Sequence, residues 1–185
     1  MPNKNGLILS SPTSTAVTGT GASATISSKG SVEFSSCASL SLNGVFSADY
    51  DNYMIVVRHV HSAGGPYLNM RLRASGTDAT ASNYAIQKVE VDGTSVTSAR
   101  YTASTSFIEM SITSDVNRSG QVYFMYAPFL SQPTAVRGIG ANGNGGVYLH
   151  DGVGTHSLST SYDGFTLTVS SGSISGRIAV YGMRN

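Results

Sequence analysis

Short runs in which apolar and polar residues alternate recur along most of this 185-residue chain. In "YLNMRLRASG", for example, Leu68, Met70 and Leu72 alternate with polar neighbours. A period of two places successive side chains on opposite faces of a β-strand. Turn-forming stretches such as "VDGT" and "YDGF" separate the runs, and Asp-Gly between two strands is typical of a hairpin. The pattern predicts an all-β fold, an antiparallel β-sandwich of the jelly-roll-like type.

The N-terminal part of the chain has a different composition from the rest. Residues 1–33 are mainly Ser, Thr, Ala and Gly and show little periodicity, so we predict an extended N-terminal arm there and a sandwich domain over 34–185. Within the domain, "QVYFMYAPF" is almost wholly apolar and is predicted as a central strand. In "YAIQKVEVDG" the apolar residues change parity partway, which predicts a bulge that shifts the inward face.

The charge content limits the classes of partner. Charged residues make up 11% of the chain and the net charge is +1, against about 25% charged residues in an average globular protein. Such a surface tends to associate with other protein, although a neutral Ser/Thr surface is also common in all-β domains. The lack of a basic excess argues against nucleic acid, and no apolar run approaches the roughly 20 residues of a membrane helix. The single Cys37 excludes an internal disulfide and suits a reducing cytoplasm; we expect it to be a buried structural thiol.

Two histidines end the most apolar stretch of the chain, "YDNYMIVVRHVH". His59 and His61 share one face of a strand and could contribute to a metal site. Zinc needs further ligands, however, and His150 and His156 lie far away in sequence. We therefore interpret the pair as residues at the end of a core strand, where that strand becomes half-exposed, and predict no metal site.

Other candidate motifs lack the context that their chemistry needs. "GIGANG" places Gly138, Gly140 and Gly143 at the dinucleotide-binding spacing, but a strand and a turn follow it where that motif needs a helix, so we predict a flexible surface loop. "ADYDN" lacks the Gly and Glu of an EF-hand and is predicted to be a turn. No nucleophile elbow, Ser/His/Asp order or glycosidase carboxylate pair stands out. The prediction is a protein that is not an enzyme and binds no cofactor.

Several long segments resemble a group of small β-rich virion proteins of tailed bacteriophages. Those proteins have segments that read "SLNGVF…YDNY", "LRLRVSG…NY" and "GxISGxIxVYG". The corresponding segments here are "SLSLNGVFSADYDNY", "LNMRLRASGTDATASNY" and "GSISGRIAVYGMRN". The resemblance covers nearly the whole chain after the arm, and its motifs are structural rather than catalytic. It implies a jelly-roll-like domain on the phage particle, either a capsid decoration (cement) protein or a tail component, and it implies no catalytic residue.

These observations lead to a functional expectation. We expect a non-enzymatic virion structural protein, most simply a capsid decoration protein that forms a homotrimer and contacts the major capsid or a tail protein. It would be assembled in the host bacterial cytoplasm and carried on the virion. The arm, which would become ordered on binding, and exposed sheet edges would contact the particle. The residues expected to contact the particle are Thr15, Ala16, Val17, Thr18, Ala24, Thr25, Ile26 and Ser27.

The alternative is a tail fibre or baseplate component, or a receptor-binding module that takes a host glycan. Aromatic and carboxylate side chains suit sugars, and the C-terminal third of the chain has several near predicted turns. The rim residues of this alternative are Tyr148, His150, Asp151, His156, Tyr162 and Asp163.

Overall fold

The computed structural model describes residues 6–62, 67–112, 119–142 and 148–184. These residues form sixteen β-strands: β1 (Leu7–Leu9), β2 (Ser14–Thr18), β3 (Ser23–Ile26), β4 (Val32–Cys37), β5 (Ser39–Asn43), β6 (Asn52–His61), β7 (Tyr67–Ala74), β8 (Thr77–Asp78), β9 (Tyr84–Asp92), β10 (Ser95–Ser104), β11 (Phe107–Ile112), β12 (Ser119–Tyr126), β13 (Thr134–Asn142), β14 (Tyr148–His156), β15 (Gly164–Val169) and β16 (Ile174–Met183). Within these ranges, no helix is long and apolar enough to cross a membrane.

The strands form two antiparallel sheets. The large sheet has ten strands in the order β10-β9-β14-β13-β12-β6-β16-β4-β3, with β1 beside β16. The small sheet has six strands in the order β11-β7-β15-β5-β2, with β8 beside β7. The predicted fold class is confirmed: the chain is an all-β antiparallel sandwich of the jelly-roll-like type, and β12 is a central strand, as its composition predicts.

The core lies between the inner faces of the two sheets. Large side chains from both sheets are fully buried there, among them Tyr53, Tyr84 and Tyr123 of the large sheet and Phe107 and Phe165 of the small sheet. In β7 the buried residues alternate with partly exposed ones in the register that its sequence predicts. The inward positions of each strand are therefore fixed by burial of apolar side chains between the sheets.

The described part of the predicted N-terminal arm, residues 6–33, is not separate from the domain but contributes strands to both sheets. β2 pairs with β5 at one edge of the small sheet, and β3 pairs with β4 at one edge of the large sheet. Val17, Ala24 and Ile26 pack against the core. These strands alternate small apolar residues with Ser and Thr, so each side chain buries little area and the alternation is weak in the sequence. The sandwich accordingly includes residues from Leu7 onward.

The outer face of the small sheet is polar. Arg73 of β7 donates hydrogen bonds to the hydroxyls of Ser41 and Thr166, at 3.1 and 2.8 Å, and also pairs with Asp78. Thr18 and Ser39 share a hydrogen bond of 2.6 Å on the same face. A sandwich of antiparallel sheets normally presents such a polar face to water on each side.

Candidate interaction surface

Part of the outer face of the large sheet, over β10, β9, β14, β13 and β12, is apolar, unlike the outer face of the small sheet. Large hydrophobic side chains on five adjacent strands point away from the core and are between 37 and 68% exposed. We call this surface the apolar outer face; its principal residues are Val89, Val96, Tyr126, Ile139, Leu149 and Val153.

The strand register makes these side chains contiguous. Val96, Val91 and Leu149 are opposite one another across β10, β9 and β14. Ile139 is opposite Val122 across β13 and β12, and Phe124 continues the same face of β12. Because directly opposed residues share a face of the sheet, they form one continuous apolar surface rather than isolated exposed residues.

One ion pair lies in the middle of the apolar outer face. Arg137 Nη2 is 2.8 Å from Asp151 Oδ2, and Arg137 Nε also donates to Asp151 Oδ1 at 3.2 Å. These bonds lower the pKa of the Asp151 carboxyl, which therefore stays ionised at neutral pH. The two charges neutralise each other, so the centre of the surface has no net charge.

The area of the apolar outer face, including its central ion pair, approaches that of a protein interface. Five strands about 4.8 Å apart and roughly 26 Å long cover on the order of 600 Å². A standard interface buries about 800 Å² on each partner, and the largest apolar patch of a monomer, about 300–600 Å², is often functional. The apolar outer face therefore fits a contact with other protein.

Sequence reasoning missed this surface, although a signal for it is present. β12 is apolar on both faces, and in an antiparallel sandwich the outer face of a strand is normally polar. Its composition predicts a central strand, and that prediction does not by itself indicate an exposed apolar face. The position of β12 within its sheet is central, but its outward side chains remain partly exposed.

The histidines at the end of β6 face the interior. His59 and His61 are 1 and 2% exposed, so the predicted half-exposed strand end is wrong. Burial and the neighbouring His61 lower the pKa of His59 to about 4, and the ring is therefore neutral at pH 7. Among the described residues, no group of three His, Cys, Asp or Glu side chains could hold a metal ion.

The six residues of the glycan alternative do not lie on one surface. His150 and His156 are buried in the sandwich. The His150 ring is 3.3 Å from Glu90, and the His156 ring packs edge-on against Tyr162, which is also buried. Asp151 is on the apolar outer face.

The two remaining residues lie elsewhere. The Asp163 carboxylate accepts a hydrogen bond from the backbone N–H of Ser75, after the end of β7. Tyr148 begins β14, and its side chain lies outside the described part of the structure.

The residues predicted to contact the particle lie at two sheet edges. Thr15 to Thr18 belong to β2, and Ala24 to Ile26 belong to β3. Ser27 follows β3, and its hydroxyl is 2.9 Å from that of Ser31. β2 and β3 are the last strands of their sheets, so a protein partner that adds a strand has an edge to pair with at each of them.

Two further sequence expectations concern Cys37 and the "GIGANG" motif. Cys37 is buried and free, as expected, and burial raises the pKa of its thiol. Gly138 and Gly140 lie within β13 rather than in a surface loop, and Gly143 is outside the described residues. A side chain at Gly138 would meet the ring of Tyr123, so this glycine allows a core tyrosine to pack against the strand.

Comparison with known proteins identified distant structural neighbours. No protein-family model and no curated protein matches the chain. A peanut lectin solved with a nine-residue peptide aligns over 100% of this chain and 95% of its own, at 9% identity and a TM-score of 0.35. An alginate lyase from Aplysia kurodai aligns over 95 and 87%, at 9% identity and a TM-score of 0.31. Similarities this distant say nothing about a ligand or a reaction.

Proposed function

We propose that this chain is a non-enzymatic structural protein of a tailed-phage particle, most simply a capsid decoration protein. The observation that supports a role in assembly is the apolar outer face, which five strands of the large sheet present to solvent. The phage context rests on the sequence segments that resemble small virion proteins. Copies of the chain, as a homotrimer, and a capsid or tail protein are the proposed partners.

A position in the tail is the second candidate within the same proposal. A fibre or baseplate protein would use the apolar outer face in the same way, so the location on the particle distinguishes the two. The glycan-binding alternative receives less support, because the five of its residues whose side chains are described are spread over the interior, the apolar outer face and the neighbourhood of β7.

We expect an antibody raised against the recombinant protein to label intact particles. Immunogold electron microscopy then shows whether the label lies on the head or on the tail. Label spread over the head supports a decoration protein, and label confined to the tail supports the second candidate. Particles that contain the protein by mass spectrometry but bind no antibody would place it inside. Its absence from purified particles would contradict the proposal.

The contact surface is tested by the double variant Leu149→Asp/Val153→Asp in particles assembled from a genome that carries it. Each carboxylate would be buried against apolar groups, and Arg137, the register partner of Val153, is already paired with Asp151, so incorporation should fall at least about tenfold. Leu158→Asp is the matched control, because Leu158 is 42% exposed and lies in the loop between β14 and β15. Equal incorporation of the double variant and the control would exclude the apolar outer face as the contact, provided that both melt like the wild type.

A further inference from the structure

A depression on the outer face of the large sheet, beyond the apolar outer face, is basic. Its lining includes Lys29, Arg58 and Arg177 together with Glu33, and its floor includes Val56 and Tyr181. Three cations and one carboxylate give the depression a formal charge of +2, whereas the whole chain has +1. The cationic excess of an almost neutral protein is therefore concentrated at this place.

Two like charges are directly opposed in the depression. Arg58 of β6 and Arg177 of β16 are register partners on adjacent antiparallel strands. Like charges in this arrangement destabilise a sheet unless something lies between them. The side chain of Arg58 has no hydrogen bond or ion pair with any residue in the described ranges, so the protein itself does not neutralise it there.

The guanidinium group of Arg177 is held in place from beneath. Its Nε and Nη2 atoms donate to the hydroxyl of Ser31 at 3.1 and 2.8 Å. Ser31 is 2% exposed and is joined to Ser27 by a hydrogen bond of 2.9 Å. Arg177 is thereby oriented without a carboxylate partner, and its Nη1 donors stay available for a ligand.

The strands on either side leave room beside the arginines. Gly120 of β12 is the register partner of Arg58, and a Cβ built on it would meet nothing within 4 Å. Glu33, opposite Arg177 on β4, forms no ion pair with the residues that the structure describes. In the strand register Arg177 lies between Glu33 and Arg58, so an anion held between the two arginines is kept away from this carboxylate.

We propose that this depression is a binding site for an oxyanion, a carboxylate or a phosphate group, held between the guanidinium groups of Arg58 and Arg177. Guanidinium groups match the planar, two-oxygen geometry of carboxylates and phosphates. Lys29 adds a third positive charge at the rim, and the apolar floor suits an anion attached to a carbon skeleton. The proposal stands apart from the virion role, since it concerns the isolated protein.

The test is a titration of the ¹⁵N-labelled protein with citrate and, separately, with inorganic phosphate at low ionic strength, followed by NMR. Amide shifts should concentrate at Arg58, Gly176 and Arg177, and Arg58→Gln should weaken binding about tenfold, the loss of one charge-assisted contact. Tighter binding of citrate would identify carboxylates as the ligand class, and tighter binding of phosphate would identify phosphates.

Arg100→Gln is the matched control, because Arg100 is exposed on β10 of the same sheet but outside the depression. Arg58→Gln removes no hydrogen bond or ion pair within the described structure, so its effect reports mainly on the ligand rather than on folding. If neither anion shifts these amides, or if Arg100→Gln weakens binding as much as Arg58→Gln, there is no such site.

Discussion

Replacing Gly164 by alanine is expected to destabilise the fold by about 3 kcal/mol, the cost of forcing one extra carbon into a closed backbone contact. Gly164 begins β15 and is the register partner of Arg73 in β7. A Cβ on Gly164 would overlap the carbonyl oxygen of Leu42 and approach the Cα of Asn43 in β5. Both obstacles are backbone atoms of a paired strand, so relief requires the small sheet to separate locally.

Urea unfolding followed by circular dichroism measures this effect. Gly120→Ala is the control, since a Cβ there meets nothing within 4 Å and the residue also lies in a strand. We expect Gly120→Ala to change the free energy of unfolding by less than about 0.5 kcal/mol, as surface substitutions usually do. Similar losses of stability in the two variants would show that strand propensity, and not the contact with β5, determines the effect of substituting Gly164.

The segment that contains Gly164 also shows a limit of prediction from local sequence. "VDGT" and "YDGF" both place Asp-Gly between strands and predict hairpins. "VDGT" joins β9 to its hairpin partner β10, with Gly93 at a φ of +57°. "YDGF" instead enters β15 of the small sheet after the chain leaves β14 of the large sheet. A glycine is required at position 164 because the backbone of β5 lies too close for a side chain. Local sequence gives no sign of this contact, since β5 lies about 120 residues earlier in the chain.

The inward positions were predictable where apolar residues alone mark them, as in β7. They were not predictable where polar residues are buried in pairs. No bulge shifts the inward face of β9: Lys88 stays on it and is 6% exposed. Its ammonium group is 2.5 Å from Glu90 and lies over the ring of Tyr67. Sequence periodicity counts a lysine as outward because burying an unpaired charge is costly, whereas this one has its partner two residues away.

The candidate surface was less predictable than the fold for a related reason. Whether an outward apolar side chain is covered depends on the rest of the assembly, and alternation within one strand carries no information about that. The low charge of the chain did indicate association. It did not indicate which sheet would be involved, because that depends on β9, β12, β13 and β14 lying side by side.

Acidification from pH 7 to pH 4 is expected to remove about 3 kcal/mol of stability through His59 alone, from the difference between the ordinary histidine pKa of 6.5 and a folded-state pKa of about 4. The unfolded chain binds a proton at His59 as the pH falls below 6.5, and the folded chain does so only near pH 4. Between these values the unfolded state holds more protons, so stability decreases as the pH falls. Burial also lowers the pKa values of His150 and His156, which act in the same direction.

The variant His59→Leu isolates this contribution, because leucine has a similar volume and does not titrate. No described residue forms a hydrogen bond with either ring nitrogen of His59, so the substitution should leave stability at pH 7 unchanged or slightly higher. Urea unfolding at several pH values should then show the variant gaining about 3 kcal/mol on the wild type by pH 4. Parallel pH profiles for the two proteins would mean that the pKa of His59 is the same in the folded and the unfolded chain, which would contradict the burial of a neutral ring at this position.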